Sequence, residues 1–501
     1  MNSVKYVLGV DLGTSAVKVI LVNQKGEIKA EATSDYPLSH KAPGYSEQNA
    51  EDWVTGTIAS IKEIVDSGVV DAAHIEGMSF SGQMHGLVLL DATGTPLRPA
   101  ILWNDVRTTK QCIQITETMG AELTSNLKNK ALEGFTLPKI LWVQAHEPEI
   151  FAKATNFLLP KDYLRYRLTG VIEMDYSDAA GTLMFDFPTN TWSTTLCEKF
   201  NINLSICPPL IESTALSGTL RPEMAELTGL TVDTKVFGGG ADNACGALGA
   251  GIINADVAMC SIGTSGVFVS YEDDATADYQ AAVQFHSHAK PDAFYSMGCT
   301  LAAGHSLNWF KNTFAAHKSF SELLANVGQI KPGSKGLLFT PYIVGERTPY
   351  ADAFIRGSFI GMDTTHTLDH FARSVLEGIT YALKDSLELM RTVGGKEINK
   401  IVSIGGGAKN EDWLQMQADI FDATIIKLTS EQGPALGAAM IAAMGCKWFE
   451  SFEICKDVFI GYAQEFQPFP ENVTIYEEFY QIYKQIYPQT KEMNEQLHPL
   501  R

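Results

Sequence analysis

The sequence predicts an α/β protein made of two copies of one fold, and three observations carry that expectation. The chain has 501 residues, whereas a single hydrophobic core stops growing at roughly 250 to 300. The turn Gly13-Thr14-Ser15, followed by Val17 and Val19, returns as Gly263-Thr264-Ser265, Val267 and Val269 at an offset of 250 residues. Strand-like runs alternate with helical periodicities, the order of an α/β chain. The break between copies is expected near residues 247 to 255, giving domains of 1–247 and 254–501.

The elements follow in order. Residues 6–10 are an apolar run; a turn spans 11–15, and Val17, Val19 and Leu21 alternate after it, which is a hairpin pattern. Residues 75–80 read as a strand ending in Ser81-Gly82, with 86–91 as its neighbouring strand and a turn at 92–94. A short strand at 235–237 runs into Gly238-Gly239-Gly240, and the small residues of 241–251 suit a tightly packed helix. In the second half a strand at 400–404 meets Gly405-Gly406-Gly407, followed by a helix over 411–421 through Trp413, Met416, Gln417 and Ile420. Residues 369–390 form another long amphipathic helix.

Composition narrows the function classes. Hydrophobic, aromatic and charged shares of 45%, 10% and 19% are globular values and exclude collagen, coiled coil and disorder. With 38 Lys plus Arg against 58 Asp plus Glu, the net charge of -20 opposes nucleic acid or an anionic membrane as main partner. An anionic small molecule then needs local backbone donors or a metal. The eight cysteines carry no CxxC pair or zinc-like spacing and read as buried free thiols. No apolar stretch reaches a membrane span, the longest being 435–446, and the first apolar run is too short for a secretion signal. A soluble cytoplasmic protein is expected.

Four motifs carry chemistry. The two turns Gly13-Thr14-Ser15 and Gly263-Thr264-Ser265 offer N–H and hydroxyl donors at close approach, the needs of a phosphate. Each alone is an ordinary β-turn; at equivalent places in two copies they would face one polyphosphate. Asp11 precedes the first turn where Ser261 precedes the second. A carboxylate there is either a magnesium ligand, direct or through water, or a residue capping its own loop. Gly238-Gly239-Gly240-Ala241-Asp242-Asn243 puts a carboxylate at a helix start after a strand end, as a helix cap or as a general base for a hydroxyl nucleophile. Gly405-Gly406-Gly407 with Asn410 offers a flat turn and an amide to a planar base. There is no P-loop and no GxGxxG opening a βαβ unit.

A polar cluster remains in Gln83-Met84-His85 and Trp103-Asn104-Asp105 with Arg107, whose mixture of polar and apolar groups suits a sugar. Taken singly, His85 reads equally as a structural histidine. His286 and His288 have metal-like spacing but alternate with Phe285 and Ser287 as one face of a strand.

As a group these residues resemble the FGGY carbohydrate kinases, a branch of the actin and sugar kinase superfamily with duplicated ribonuclease H-like domains. The resemblance covers nearly the whole chain. Residues 357–362, His370-Phe371 and 374–378 fit the family's C-terminal signature; Gly134, Thr136, Lys139 and Trp142 fit the N-terminal one, with Ala145 departing from it in a segment that reads as packing. Residues 81–86, 97–105 and 240–243 are similar to the xylulokinase branch.

The resemblance implies two actin-like ATPase domains with an active cleft between them, the first binding sugar and the second nucleotide. It implies ATP and magnesium, with Asp242 as proton acceptor and Asp11 near the metal, Asp242 being a second candidate ligand. Gln83, Met84, His85, Trp103, Asp242 and Asn243 would meet the ketopentose. Both GTS turns would hold phosphates, and Gly304, Asn308, Gly406, Gly407 and Asn410 the nucleotide. A homodimer is an expectation of the resemblance alone. Rival readings are a kinase for ribulose, gluconate or glycerol, and a chaperone-like or filament-forming ATPase, which has no use for the cluster around Met84, His85 and Asp242.

Overall fold

The computed structural model describes residues 4–501. Two seven-stranded sheets form its frame. In the first, Tyr6–Leu12 and Ala16–Asn23 pair as an antiparallel hairpin, and Ile28–Asp35 extends it on one side. Ile75–Gly82 lies parallel to Tyr6–Leu12 on the other side, followed by Lys235–Phe237 in parallel and Leu216–Thr219 antiparallel at the edge.

The second sheet repeats that order. Ala258–Ile262 and Gly266–Glu272 form the hairpin, Phe294–Thr300 extends it, and Lys400–Gly405 and Thr424–Leu428 run parallel beside it. Tyr462–Phe466 is the antiparallel edge, and Gln284–Ser287 adds a strand outside Phe294–Thr300. The sequence repeat therefore marks the same hairpin in both sheets. One connection differs: the antiparallel edge precedes its parallel neighbour along the chain in the first half and follows it in the second.

Burial explains why these runs are strands. Val7, Leu8, Val10 and Leu12 are fully buried, as a central strand covered on both faces requires. The cover between the halves comes from two helices of small residues, Asp242–Gly249 and Gly433–Gly445. A Cβ on Gly437 would collide with the Cys245 carbonyl, and one on Gly9 with the Ala435 carbonyl. Glycine therefore lets the helices touch each other and lets the second half's helix lie on the first half's strand. The resulting core mixes both halves, with Val7 and Ala244 beside Met259, Val402 and Ala439.

Two expectations change. The strand expected at 86–91 is Val88–Leu90, and it pairs antiparallel with Asn156–Leu158 rather than with Ile75–Gly82. Apolar alternation specifies a strand but not its partner. Asp11 lies within its strand opposite Lys18, so the turn proper is Gly13 to Ser15. The C-terminal tyrosines belong to the helix Pro470–Leu497, which packs onto Leu368–Thr392 of the second half. There Tyr476 donates to Glu377 at 2.9 Å and Tyr480 to Asp385 at 2.6 Å. All eight cysteines are free, six buried and Cys207 and Cys446 half-buried. Among the described residues no helix is long and apolar enough to cross a membrane.

Candidate active site

Strand ends of both sheets and the glycine turns of the second converge on two cavities. One, of about 220 Å³, is walled by Met84, His85, Trp103, Gly134, Asp242 and Asn243 from the first half and by Ser265, Val267, Gln284, Cys299 and Arg347 from the second. The other, of about 620 Å³, lies in the second half.

Asp242 starts its helix at the wall of the smaller cavity, immediately after Gly240–Ala241 pairs with Ser81-Gly82. Asn243 donates to one carboxylate oxygen twice, from its backbone at 2.6 Å and its side chain at 3.1 Å. The other oxygen is then the one that can take a proton from a hydroxyl in the cavity. Scarce solvent, and secondarily the Asp11 carboxylate, push Asp242 up to about 7. Asp11 is raised too, by burial, with the Ser81 hydroxyl and Lys18 opposing that rise. Burial makes both carboxylates costly to ionise without a cation, and their oxygens are hard donors of the kind that suits magnesium.

His85 sits at φ 69°, the left-handed region that a side chain enters only when its surroundings hold it there. Its Nδ1 donates to the Gly181 carbonyl at 2.5 Å, and burial, then the neighbouring His286, keep the ring neutral well below the usual histidine range. Nε2 is consequently an acceptor. The Thr136 hydroxyl donates to the His85 carbonyl at 3.0 Å, and buried Lys139 gathers the carbonyls of Glu133, Gly134 and Phe135. The segment expected to be packing therefore shapes the cavity wall. The paired histidines 286 and 288 are buried and held neutral near 3, with His286 against His85.

Trp103 joins the cavity to the first turn, its indole N–H donating to the Thr14 hydroxyl at 2.9 Å. The Gln48 side chain donates to the Thr14 carbonyl at 2.7 Å, and Tyr36 to that of Gly13. Gln83 is placed differently from Met84 and His85. It is 2% exposed and donates to Gln48 at 3.2 Å, so it braces the first turn from behind rather than lining the cavity. Gly13, Thr14 and Ser15 line neither cavity.

The larger cavity is lined by Gly263, Thr264, Gly304, Asn308, Gly406, Gly407 and Asn410, with Trp413, Leu324 and Phe320 as apolar walls. Helix Gly304–Phe314 begins against the second turn: Gly304 N–H donates to the Gly263 carbonyl at 2.8 Å and His305 N–H to that of Thr264 at 3.0 Å. A Cβ on Gly304 would collide with the Gly263 oxygen. Asn410 caps helix Glu411–Phe421 by accepting from Trp413 N–H at 2.9 Å, which leaves its amide donors for a ligand. Ser265, grouped by sequence with the nucleotide residues, lines the smaller cavity instead, so the second turn borders both.

Arg347 and Gln284 carry no sequence signal, yet both line the smaller cavity. Buried Glu346 fixes the arginine's loop by accepting from Thr300, Leu301 N–H and Arg347 N–H, and burial pushes its carboxyl up to about 8. A motif search centred on glycine turns and isolated acids passes over such a loop.

Comparisons with known proteins agree with this architecture. Residues 6–249 match the N-terminal domain model of the FGGY family of carbohydrate kinases, and residues 258–446 match the C-terminal one. The chain is 56% identical over 497 residues to a xylulose kinase of Bacillus subtilis (strain 168), covering 99% of each, and 51% identical to one of Lactococcus lactis, covering 98% of each. The solved structure of a ligand-bound xylulose kinase from Lactobacillus acidophilus superposes with a TM-score of 0.93 at 26% identity, over 98% of this chain and 100% of that one. With both domain models matched in order along two such sheets, the chain belongs to the FGGY family of carbohydrate kinases.

Proposed function

We propose that the protein transfers the γ-phosphate of ATP to the terminal hydroxyl of D-xylulose, giving D-xylulose 5-phosphate. The observation that carries this reading is Asp242, a carboxylate raised to about 7 at the wall of a cavity built from both halves. The full-length likeness to xylulose kinases supports the choice of sugar.

The sugar occupies the smaller cavity, with His85 Nε2 accepting from one of its hydroxyls and Trp103 and Met84 against its carbon skeleton. The adenine lies between Gly406, Gly407 and Asn410 on one side and the apolar wall on the other. Its phosphates pass the second turn, which borders both cavities, toward Asp242. The free oxygen of Asp242 takes the hydroxyl proton as the sugar oxygen attacks phosphorus in line, and ADP leaves. Asp11, with Asp242 nearby, would hold magnesium, which when bound neutralises phosphate charge. Backbone N–H groups of the second turn supply the local attraction for a polyanion that a net charge of -20 opposes.

Arg347 favours a second reading, because a cationic side chain at the acceptor wall also suits the carboxylate of an aldonate. An ADP-release assay over a panel of ketoses, polyols and aldonates decides between them. Xylulose giving the highest kcat/KM is the expected result; gluconate exceeding it establishes the second reading.

A further inference from the structure

The smaller cavity has a buried support that the catalytic scheme does not use. Lys161, Asp162, Arg165, Asp175, Ser177 and Asp178 are all 0% exposed. Lys161 pairs with Asp175 and also with Asp162 and Asp178, so the three carboxylates surround an ammonium rather than an open metal position.

This cluster reaches the catalytic loop at defined points. The Ser177 hydroxyl donates to Asp175 Oδ2 at 2.5 Å and accepts from the Ala241 N–H at 2.8 Å, one residue before Asp242. Arg165 donates to the Gly238 carbonyl at 2.5 Å at the start of the same loop. Asp175 caps the short helix Tyr176–Ala180, and Gly181, directly after it, holds His85 Nδ1. A Cβ on Gly181 would lie 2.8 Å from Met84 Cε and 3.3 Å from His85 Nδ1, so the helix end sits directly against the sugar-facing residues.

We infer that Ser177 is a positioning residue: its hydroxyl, oriented by Asp175, fixes the Ala241 backbone and so sets where Asp242 points. The short helix ties that setting to His85, so the proton acceptor and the sugar's hydrogen-bond partner are placed by one rigid unit. The hydroxyl is suited to the task because it donates and accepts at once, linking an acceptor-only carboxylate to a donor-only N–H. A general base displaced by about 1 Å can lose about 10²-fold in rate. The inference rests on Asp242 as the base.

Ser213 supplies the comparison. Its hydroxyl donates to the same Asp175 oxygen at 3.3 Å and it is 2% exposed; its backbone carbonyl accepts from Gly239 N–H at 3.0 Å, a bond alanine keeps, but its side chain does not bond the loop. Ser177→Ala and Ser213→Ala each remove one buried hydroxyl from one network. Steady-state kinetics with the full chain, using the best sugar of the panel, should show kcat of Ser177→Ala lowered about 10- to 100-fold with KM for ATP little changed. Ser213→Ala should remain within about threefold of wild type, the low end of the effect of one net hydrogen bond. Equal losses in both variants, or Ser177→Ala within about threefold of wild type, overturn the inference. If Ser177→Ala does not fold, Ser177→Cys, which keeps the volume and weakens the acceptor, takes its place with the same expected contrast to Ser213→Ala. Asp242→Ala assayed alongside separates the two ideas, because full activity there removes the base while the serine contrast reports on the loop.

Discussion

The Trp103 indole N–H donates to the Thr14 hydroxyl at 2.9 Å, which ties the wall of the acceptor cavity to the first glycine turn. Trp103→Phe keeps a ring against the sugar and removes the tie. One net hydrogen bond contributes about 0.5 to 1.5 kcal/mol, a factor of about 2 to 12, and kcat/KM for the sugar should fall by that factor. Steady-state kinetics at saturating ATP check it; an unchanged value means the tie does not act in the reaction.

The pH profile follows from the Asp242 carboxyl. Burial, and then Asp11, push it up to about 7, and a base works in its ionised form. Activity should therefore be lost as pH falls through about 7, with unit slope on the acid side of kcat/KM. Asp11→Asn removes a neighbouring negative charge and so should move this limb to lower pH, whatever it does to the maximum rate. A limb that stays in place in Asp11→Asn contradicts the electrostatic coupling of the two carboxylates.

Gly304 tests the nucleotide cavity. Its Cβ would meet the Gly263 carbonyl oxygen, so Gly304→Ala must push helix Gly304–Phe314 away from the second turn. Overpacking of this kind costs about 1 to 3 kcal/mol. KM for ATP should rise about fivefold or more, while KM for the sugar changes little. A rise confined to the sugar would place the nucleotide elsewhere.

Much of this was legible in the sequence, for reasons particular residues make plain. Gly13 and Gly263 mark turns whose chemistry is local, so their spacing gave both the duplication and the hairpins. Asp242 stands out in the sequence because three glycines precede it. Gln83 turns away from the cavity that its neighbours Met84 and His85 line, and adjacency in sequence says nothing about which way a side chain turns. Val88–Leu90 misled because its partner strand lies beyond residue 150. Arg347 and Ser177 were invisible because each acts through a contact far along the chain: the arginine through a cavity shared with Met84, the serine through Ala241. Long-range packing of that kind leaves no periodicity to read.

The account stands or falls on Asp242 as proton acceptor. The direct measurement is kcat of Asp242→Ala for xylulose at saturating ATP, with thermal melting to confirm the fold. General base catalysis contributes about 10² to 10⁴-fold, so kcat should fall at least that far while KM for ATP stays near its wild-type value. A folded variant that keeps more than about a tenth of the wild-type kcat would contradict the mechanism and leave the acceptor cavity without its base.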